Sequence, residues 1–122
     1  MKLSFSTHTA VLDCRKQIII INNDIKIALT PVQFLFLSVL MDGITEKKAI
    51  IEKVWGQVGD SRYDNNYYQI IFQIRHLLKK NNLTVDFLQT IHCHGVRLNY
   101  DALGVKQRKL FERFFALFRF SN

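Results

Sequence analysis

Apolar residues follow the two-residue period of β-strands over the first 29 residues. Four consecutive isoleucines at 18–21 are followed by the turn signal Asn-Asn-Asp, and an alternation of apolar and other residues then continues to Leu29. This pattern predicts a hairpin at 17–29. Two further short strands are predicted at 3–5 and 10–13, so we expect four strands to form a small antiparallel sheet.

After this sheet the apolar residues take up the spacing of an α-helix. Thr30 is expected to cap the first helix, with Pro31 in its first position and Gln33 in its third. The helix is predicted to continue to Met41 and to end at the Asp-Gly pair that follows.

The same helical spacing recurs in two later segments. The second helix is expected to be capped by Thr45, and its apolar stripe consists of Ile50, Ile51, Val54 and Trp55. The third is expected to be capped by Asp64 or Asn65 and to end near Lys80. Its apolar face is predicted to consist of Tyr67, Ile70, Ile71, Ile74, Leu77 and Leu78.

The last third of the chain predicts a hairpin and a separate amphipathic helix. Paired strands are expected at 87–91 and 96–100, with the tip at 92–95. A final helix at 105–119 carries an apolar stripe of Phe111, Phe114, Phe115 and Phe118. We therefore expect an α+β fold. Its domain, 1–104, contains the sheet (1–29), three helices (30–80) and the hairpin (85–100), and the basic, Phe-rich segment 105–122 follows it.

Composition and charge narrow the class of protein only in part. The chain has 122 residues, of which 48% are hydrophobic, enough for a domain with its own core. A net charge of +7 favours a polyanionic partner, although residues 30–100 hold eight basic and six acidic residues and are only mildly basic. Two cysteines, no signal-peptide pattern and no apolar run of 18 residues favour a reduced, cytoplasmic chain.

Four motifs occur in a fixed order along the chain. They are Leu29-Thr30-Pro31-x-Gln33-Phe34-x-x-Leu37, Val54-Trp55-Gly56, Ile71-x-x-Ile74-Arg75-x-x-Leu78, and Gln89-Thr90-Ile91-x-x-x-Gly95-Val96-Arg97-Leu98. Together with the N-terminal sheet they resemble the effector domain of OmpR/PhoB-type transcriptional regulators. The resemblance covers about residues 3–100. With no receiver domain before it, the chain looks more like the ToxR/CadC-like branch, in which a transmembrane helix usually follows.

The resemblance implies a bacterial winged helix-turn-helix protein that acts in signal transduction. The helix at about 64–80 would be the recognition helix in the major groove, and the hairpin at about 88–98 would be the wing, near the minor groove or the backbone. If the parent protein is longer, the domain is expected at the inner face of the membrane. Family members usually carry several Arg or Lys residues on the recognition helix, and this helix has fewer.

The outward side of the third helix provides the residues expected to contact DNA. The amides of Gln69 and Gln73 suit the N6 and N7 atoms of adenine, and Phe72 suits a thymine methyl group. The full set expected on this helix is Asn65, Asn66, Gln69, Phe72, Gln73, Arg75 and His76. The alternative is that these residues only keep an exposed helix soluble.

For two arginines the sequence leaves more than one contact open. Arg75 is expected to clamp a phosphate, or else to form an ion pair with Glu46 or Glu52. Arg97 on the wing is expected to enter the minor groove or to contact a phosphate, or else to pair with an acidic neighbour. His92 and His94 at the wing are further expected DNA contacts.

No enzymatic or metal site is indicated. In a strand, His92 and His94 would point to one face and Cys93 to the other, and two ligands do not complete a tetrahedral site. The chain contains no Gly-rich phosphate loop and no HExxH motif. We expect a protein that is not an enzyme and needs no cofactor.

The tail and one loop suggest partners besides DNA. The four phenylalanines of 105–119 would pack on the domain, form a homodimer or bind another protein, or lie on a membrane surface with basic residues toward anionic headgroups. The loop 56–63 corresponds to the segment that some family members present to RNA polymerase, unless it is a plain connector.

Two functions compete at this point. The first is a sequence-specific regulator that binds double-stranded DNA. The second is a winged-helix protein-interaction module with little DNA affinity, which would use the exposed helix face and the Phe-rich tail. The resemblance makes the first the main prediction, and the mild charge of residues 30–100 and the exposed position expected for Phe72 motivate the second as the alternative.

Overall fold

The computed structural model describes residues 9–56 and 61–103, and these form an α+β structure with three α-helices and two antiparallel sheets. The elements in chain order are β1 (Ala10–Asp13), β2 (Ile18–Ile21), β3 (Ile25–Ala28), α1 (Pro31–Met41), α2 (Lys47–Trp55), α3 (Asp64–Lys80), β4 (Leu88–Ile91) and β5 (Gly95–Leu98). Single 3₁₀ turns at Ser61–Tyr63 and Val85–Phe87 precede α3 and β4.

The first sheet has the strand order β1-β2-β3, and both pairs are antiparallel. Ile19 lies opposite both Leu12 and Ile27. Ile19 and Ile21 are buried whereas the residues between and beside them are only partly so, because successive side chains of a strand point to opposite faces. The hairpin at 17–29 and the strand at 10–13 are confirmed; the strand expected at 3–5 lies outside the described residues.

Helix α1 has the bounds and the cap that its sequence predicts. The hydroxyl of Thr30 accepts a hydrogen bond from the backbone N–H of Gln33 at 3.3 Å, and the Gln33 side-chain oxygen accepts one from the backbone N–H of Thr30 at 3.0 Å. These two bonds satisfy N–H groups that a helix start otherwise leaves without partners. Asp42 ends the helix.

The expected cap of α2 is wrong. The helix begins at Lys47, and Glu46 precedes it without a side-chain capping bond. The chain at Thr45 and Glu46 is instead extended against the hairpin: the carbonyl of Thr45 accepts a hydrogen bond from the N–H of Val96 at 3.1 Å. Pairing with a strand that is distant in sequence therefore takes the place of local capping at Thr45.

The expected cap of α3 is also wrong. Asp64 is the first helical residue, and Tyr63 precedes it without a side-chain capping bond. The Asp64 carboxylate lies 3.3 Å from Nζ of Lys47, so it joins two helices instead of capping one. The helix ends at Lys80 as predicted. The predicted apolar face is buried except at Leu77, which is partly exposed.

Strands β4 and β5 form the second sheet, with Leu88 opposite Leu98 and Ile91 opposite Gly95. The tip is a three-residue turn at 92–94, in which the N–H of His94 donates to the carbonyl of Ile91 at 3.0 Å. The predicted hairpin is confirmed with shorter strands. Residues 92–94 of the predicted tip form the turn, whereas Gly95 begins β5. The alternation that a strand would give to residues 92–94 therefore does not occur.

One hydrophobic core joins both sheets and all three helices. Phe36 of α1 and Tyr67 of α3 pack with ring centroids 6.0 Å apart, and Asn22 donates from its side chain to the carbonyl of Leu103 at 3.3 Å. Trp55 is partly buried at the edge of the core, where it stacks on Tyr63. The core therefore continues from the first sheet to the residues just after the hairpin.

Several predictions fall outside the described residues. The tail helix at 105–119, with Phe111, Phe114, Phe115 and Phe118, is one of them, and residues 57–60 of the loop after α2 are another. Within 9–56 and 61–103, no helix has the length and apolar character needed to cross a membrane.

Candidate nucleic-acid interface

The outward face of α3 is exposed along the whole length over which the sequence predicts DNA contacts. All of the following residues are exposed: Asn65, Asn66, Gln69, Phe72, Gln73 and His76. Phe72 keeps 72% of its surface accessible. The opposite face of the helix is buried in the core, so the period that buries one side presents these residues together on the other.

The two glutamines of this face have different surroundings. The side-chain amide of Gln69 has no hydrogen-bond partner among the described residues. Gln73, about one turn further along, accepts a hydrogen bond at its side-chain oxygen from Nε2 of Gln33, at 2.8 Å. Gln33 is only 7% exposed, so Gln73 is hydrogen-bonded to a buried side chain of α1. Sequence reasoning did not find this contact because the two residues are 40 positions apart.

Arg75 connects α3 to the hairpin. Its Nε and Nη2 atoms donate to the carbonyl oxygen of Leu88, at 3.2 Å and 2.8 Å, and Nη2 also donates to the hydroxyl of Thr90 at 2.7 Å. The ion pair expected with Glu46 or Glu52 is not formed. The side chain instead fixes the hairpin against the helix that carries the exposed face.

A cluster of charged and aromatic side chains, which the sequence analysis missed, joins the starts of α2 and α3. The ammonium of Lys47 lies 3.3 Å from the Asp64 carboxylate and 4.8 Å from the ring centre of Tyr68. It also donates to the Tyr68 hydroxyl at 3.2 Å, and this hydrogen bond is the largest cause of a raised pKa of Lys47. Lys47 therefore stays charged and holds the two helix starts together.

A groove of about 590 Å³ lies between the starts of α2 and α3 and the hairpin. Its lining includes the basic residues Lys47, Lys48 and Arg75 and the aromatic ring of Tyr68. Tyr68 is 55% exposed. The groove also includes Glu46, so it adjoins α3 with Lys47, Lys48 and Glu46 on the α2 side and Arg75 on the α3 side.

The tip of the hairpin is fixed to the segment before α2. Nε2 of His94 lies 2.8 Å from the hydroxyl oxygen of Thr45, and the carbonyl of His94 accepts a hydrogen bond from the N–H of Lys47 at 2.9 Å. His94 is thus engaged within the domain. His92, also at the tip, is exposed, as is Cys93 between them.

Arg97 lies on β5 opposite Gln89 and points to solvent. The acidic neighbour considered as its partner is not found: within residues 9–56 and 61–103 the guanidinium of Arg97 forms no ion pair. It is therefore a cation on the hairpin that is accessible to an external anion.

No group of three or more His, Cys, Asp or Glu side chains in the described part of the chain is arranged to hold a metal ion. Comparison with known proteins gives no relative from which a function can be transferred: no protein-family model matches the chain, and no curated protein matches it significantly. The function is therefore inferred from the residues of this chain.

Proposed function

We propose that this chain is a sequence-specific transcriptional regulator that binds double-stranded DNA through a winged helix-turn-helix of the OmpR/PhoB type. Helix α3 would lie in the major groove, and the β4–β5 hairpin would be the wing. The observation that carries the proposal is the outward face of α3, which presents amides, an aromatic ring and an imidazole on a helix whose other face is buried.

The connections around α3 support this proposal. Arg75 fixes the hairpin to α3, and the contacts of Thr45 with His94 and Val96 fix it to the segment before α2. The helix and the hairpin are thus held in one arrangement before any ligand arrives, and a preorganised surface loses less conformational entropy on binding.

The charge distribution predicts how such a protein would bind. In this proposal the amides and Phe72 on the outward face of α3 contact the bases. The phosphate contacts would come from neighbouring cations such as Arg97, Lys48 and the exposed Lys79 and Lys80 at the end of α3. Few cations imply weak non-specific binding, so most of the affinity would depend on the base sequence. Such a regulator would act in the cytoplasm.

The test is selection of genomic DNA fragments by the full chain at near-physiological salt. Enrichment of one shared motif is the expected result. Recovery of fragments that share no motif beyond what random fragments share would contradict the proposal. A parallel selection with residues 1–104 tests whether the tail forms a homodimer contact. If it does, the full chain should recover two half-sites at fixed spacing, and the shortened chain should recover only one.

A point variant tests the base contacts directly. Gln69→Ala should relax the preference at one position of the motif by about tenfold, because its free amide can pair with both N6 and N7 of adenine. Lys26→Gln, on β3 of the first sheet, is the control and should leave every position unchanged. An equal loss of affinity for motif and random DNA in Gln69→Ala would show that Gln69 does not read a base.

A second candidate function is a protein-interaction module. The observation that favours it is the pair of exposed aromatic residues on α3, Phe72 and Tyr68, which are 72% and 55% accessible and lie four residues apart. Exposed aromatic side chains are enriched at protein interfaces. If this function is correct, Phe72→Ala abolishes capture of a partner protein, while DNA affinity stays at the non-specific level in the unaltered chain and in the variant.

A further inference from the structure

We infer that buried Gln33 fixes the orientation of the Gln73 side-chain amide, with its oxygen toward Gln33 and its NH₂ group outward. Helix α3 then presents an NH₂ group at this position and selects guanine there. This inference rests on the proposed DNA-binding function and deepens it. The sequence alone suggested adenine for Gln73, because an isolated glutamine offers an acceptor and a donor side by side. The contact with Gln33 changes which of the two groups remains free.

The orientation originates at the backbone of Thr30. A backbone N–H can only donate, and the N–H of Thr30 points to the side-chain oxygen of Gln33 at 3.0 Å. The oxygen of the Gln33 amide must therefore face Thr30, and its NH₂ group must occupy the other end. Since Gln33 is only 7% exposed, a reversed amide would bury two donors facing each other.

The second hydrogen bond transfers this orientation to α3. The NH₂ group of Gln33 lies 2.8 Å from the side chain of Gln73. An NH₂ group donates and does not accept, so the atom of Gln73 that faces it must be the oxygen Oε1. Two successive amides are thus oriented by one backbone N–H group.

The free group of Gln73 is consequently its own NH₂. The Gln73 side chain is exposed, and Nε2 has no partner among the described residues. In the major groove guanine presents two adjacent acceptors, O6 and N7, thymine presents one, O4, and cytosine presents only the N4 amino donor. Adenine is read best by an amide that directs both its oxygen and its NH₂ group to the base, and the oxygen of Gln73 is directed to Gln33 instead. An NH₂ group at this position therefore favours guanine, the base with two acceptors for it.

The decisive variant is Gln33→Glu. One carboxylate oxygen still accepts from Thr30, which preserves the capping box. The other oxygen can only accept, so Gln73 must turn its NH₂ group inward and its oxygen outward. The preferred base should change from guanine to cytosine or adenine, whose amino groups donate, and guanine should be disfavoured by about tenfold relative to the unaltered chain.

The unaltered chain and two further variants accompany this variant in the same site selection. Gln73→Ala identifies the motif position that Gln73 contacts, because the preference is lost there. Lys26→Gln lowers the net charge by the same amount as Gln33→Glu at a distant strand, and should leave the motif unchanged. Thermal unfolding of every protein verifies that the fold is kept, and the side-chain amide resonances of Gln73 should shift in Gln33→Glu.

The outcomes are distinguishable. A change at the one position assigned by Gln73→Ala supports the inference. If Gln33→Glu and the unaltered chain select the same motif, the inference is overturned while the proposed function stands. The inference is also overturned if Gln73→Ala leaves the motif intact. Absence of any motif in the unaltered chain removes the proposed function, and the inference with it.

Discussion

The guanidinium of Arg75 donates two hydrogen bonds to the backbone carbonyl of Leu88, at 3.2 Å and 2.8 Å. It thereby joins the middle of α3 to the first residue of β4, 13 positions further along the chain. The sequence had suggested a phosphate clamp or an ion pair for this residue. Its contacts in the structure are instead internal to the domain.

We expect Arg75→Met to lower the free energy of unfolding by about 2 kcal/mol, because bonds from a charged donor to the Leu88 carbonyl and the Thr90 hydroxyl are lost. Methionine keeps most of the apolar stem. The measurement is urea denaturation. Unchanged stability together with a weaker salt dependence of DNA binding would show instead that Arg75 binds a phosphate.

The exposed Arg97 should behave in the opposite way. Arg97→Ala is expected to change the free energy of unfolding by less than about 0.5 kcal/mol, since no described residue pairs with it. It should weaken binding to motif and random DNA alike, and reduce the slope of log K against log salt by about 1. Anisotropy titrations at several salt concentrations measure this slope. Lys26→Ala removes one charge from the first sheet and should leave the slope unchanged.

The backbone at Gly95 packs against the segment before α2 with no room for a side chain. A β-carbon there would overlap the carbonyl oxygen of Thr45 and lie 2.8 Å from the backbone nitrogen of Lys47. Both neighbours are backbone atoms, so they cannot rotate away. We expect Gly95→Ala to cost about 3 kcal/mol of stability in chemical denaturation.

The matched control for Gly95→Ala is Gly43→Ala. A β-carbon at Gly43 meets nothing within 4 Å, but its φ of 90° is strained for alanine. This variant should cost only about 1 kcal/mol. If both variants are equally stable, the close approach at Gly95 is relieved by a small movement of the hairpin.

The phenol of Tyr67 should make stability depend on pH in the alkaline range. Burial is the main cause that raises the pKa of Tyr67 from 10.0 to about 12. A group whose pKa is raised in the folded state stabilises the protein fully below its unfolded pKa, and this contribution is lost as pH rises from about 10 through about 12. We therefore expect stability to fall across this window, by on the order of 2 kcal/mol.

Ultraviolet titration of tyrosinate, compared between the unaltered chain and Tyr67→Phe, measures this pKa. The variant should lack the highest-pH ionisation, and its stability should fall less steeply above pH 10. Ionisation of all tyrosines near pH 10 while the protein stays folded would contradict the prediction.

The sequence by itself determined the elements whose causes are local. The start of α1 at Pro31 follows from bonds between residues three positions apart, and the exposed face of α3 follows from its helical period. Both could be predicted because the interacting groups are near neighbours in the chain.

Only the tertiary structure decided how the polar residues are used. Thr45 pairs with the hairpin instead of capping α2, Arg75 binds the carbonyl of Leu88, and the oxygen of Gln73 is held by Gln33. Each partner is at least 13 positions away in sequence. A polar side chain takes whichever partner the packing of the core places within hydrogen-bond distance, and local sequence patterns do not encode that distance.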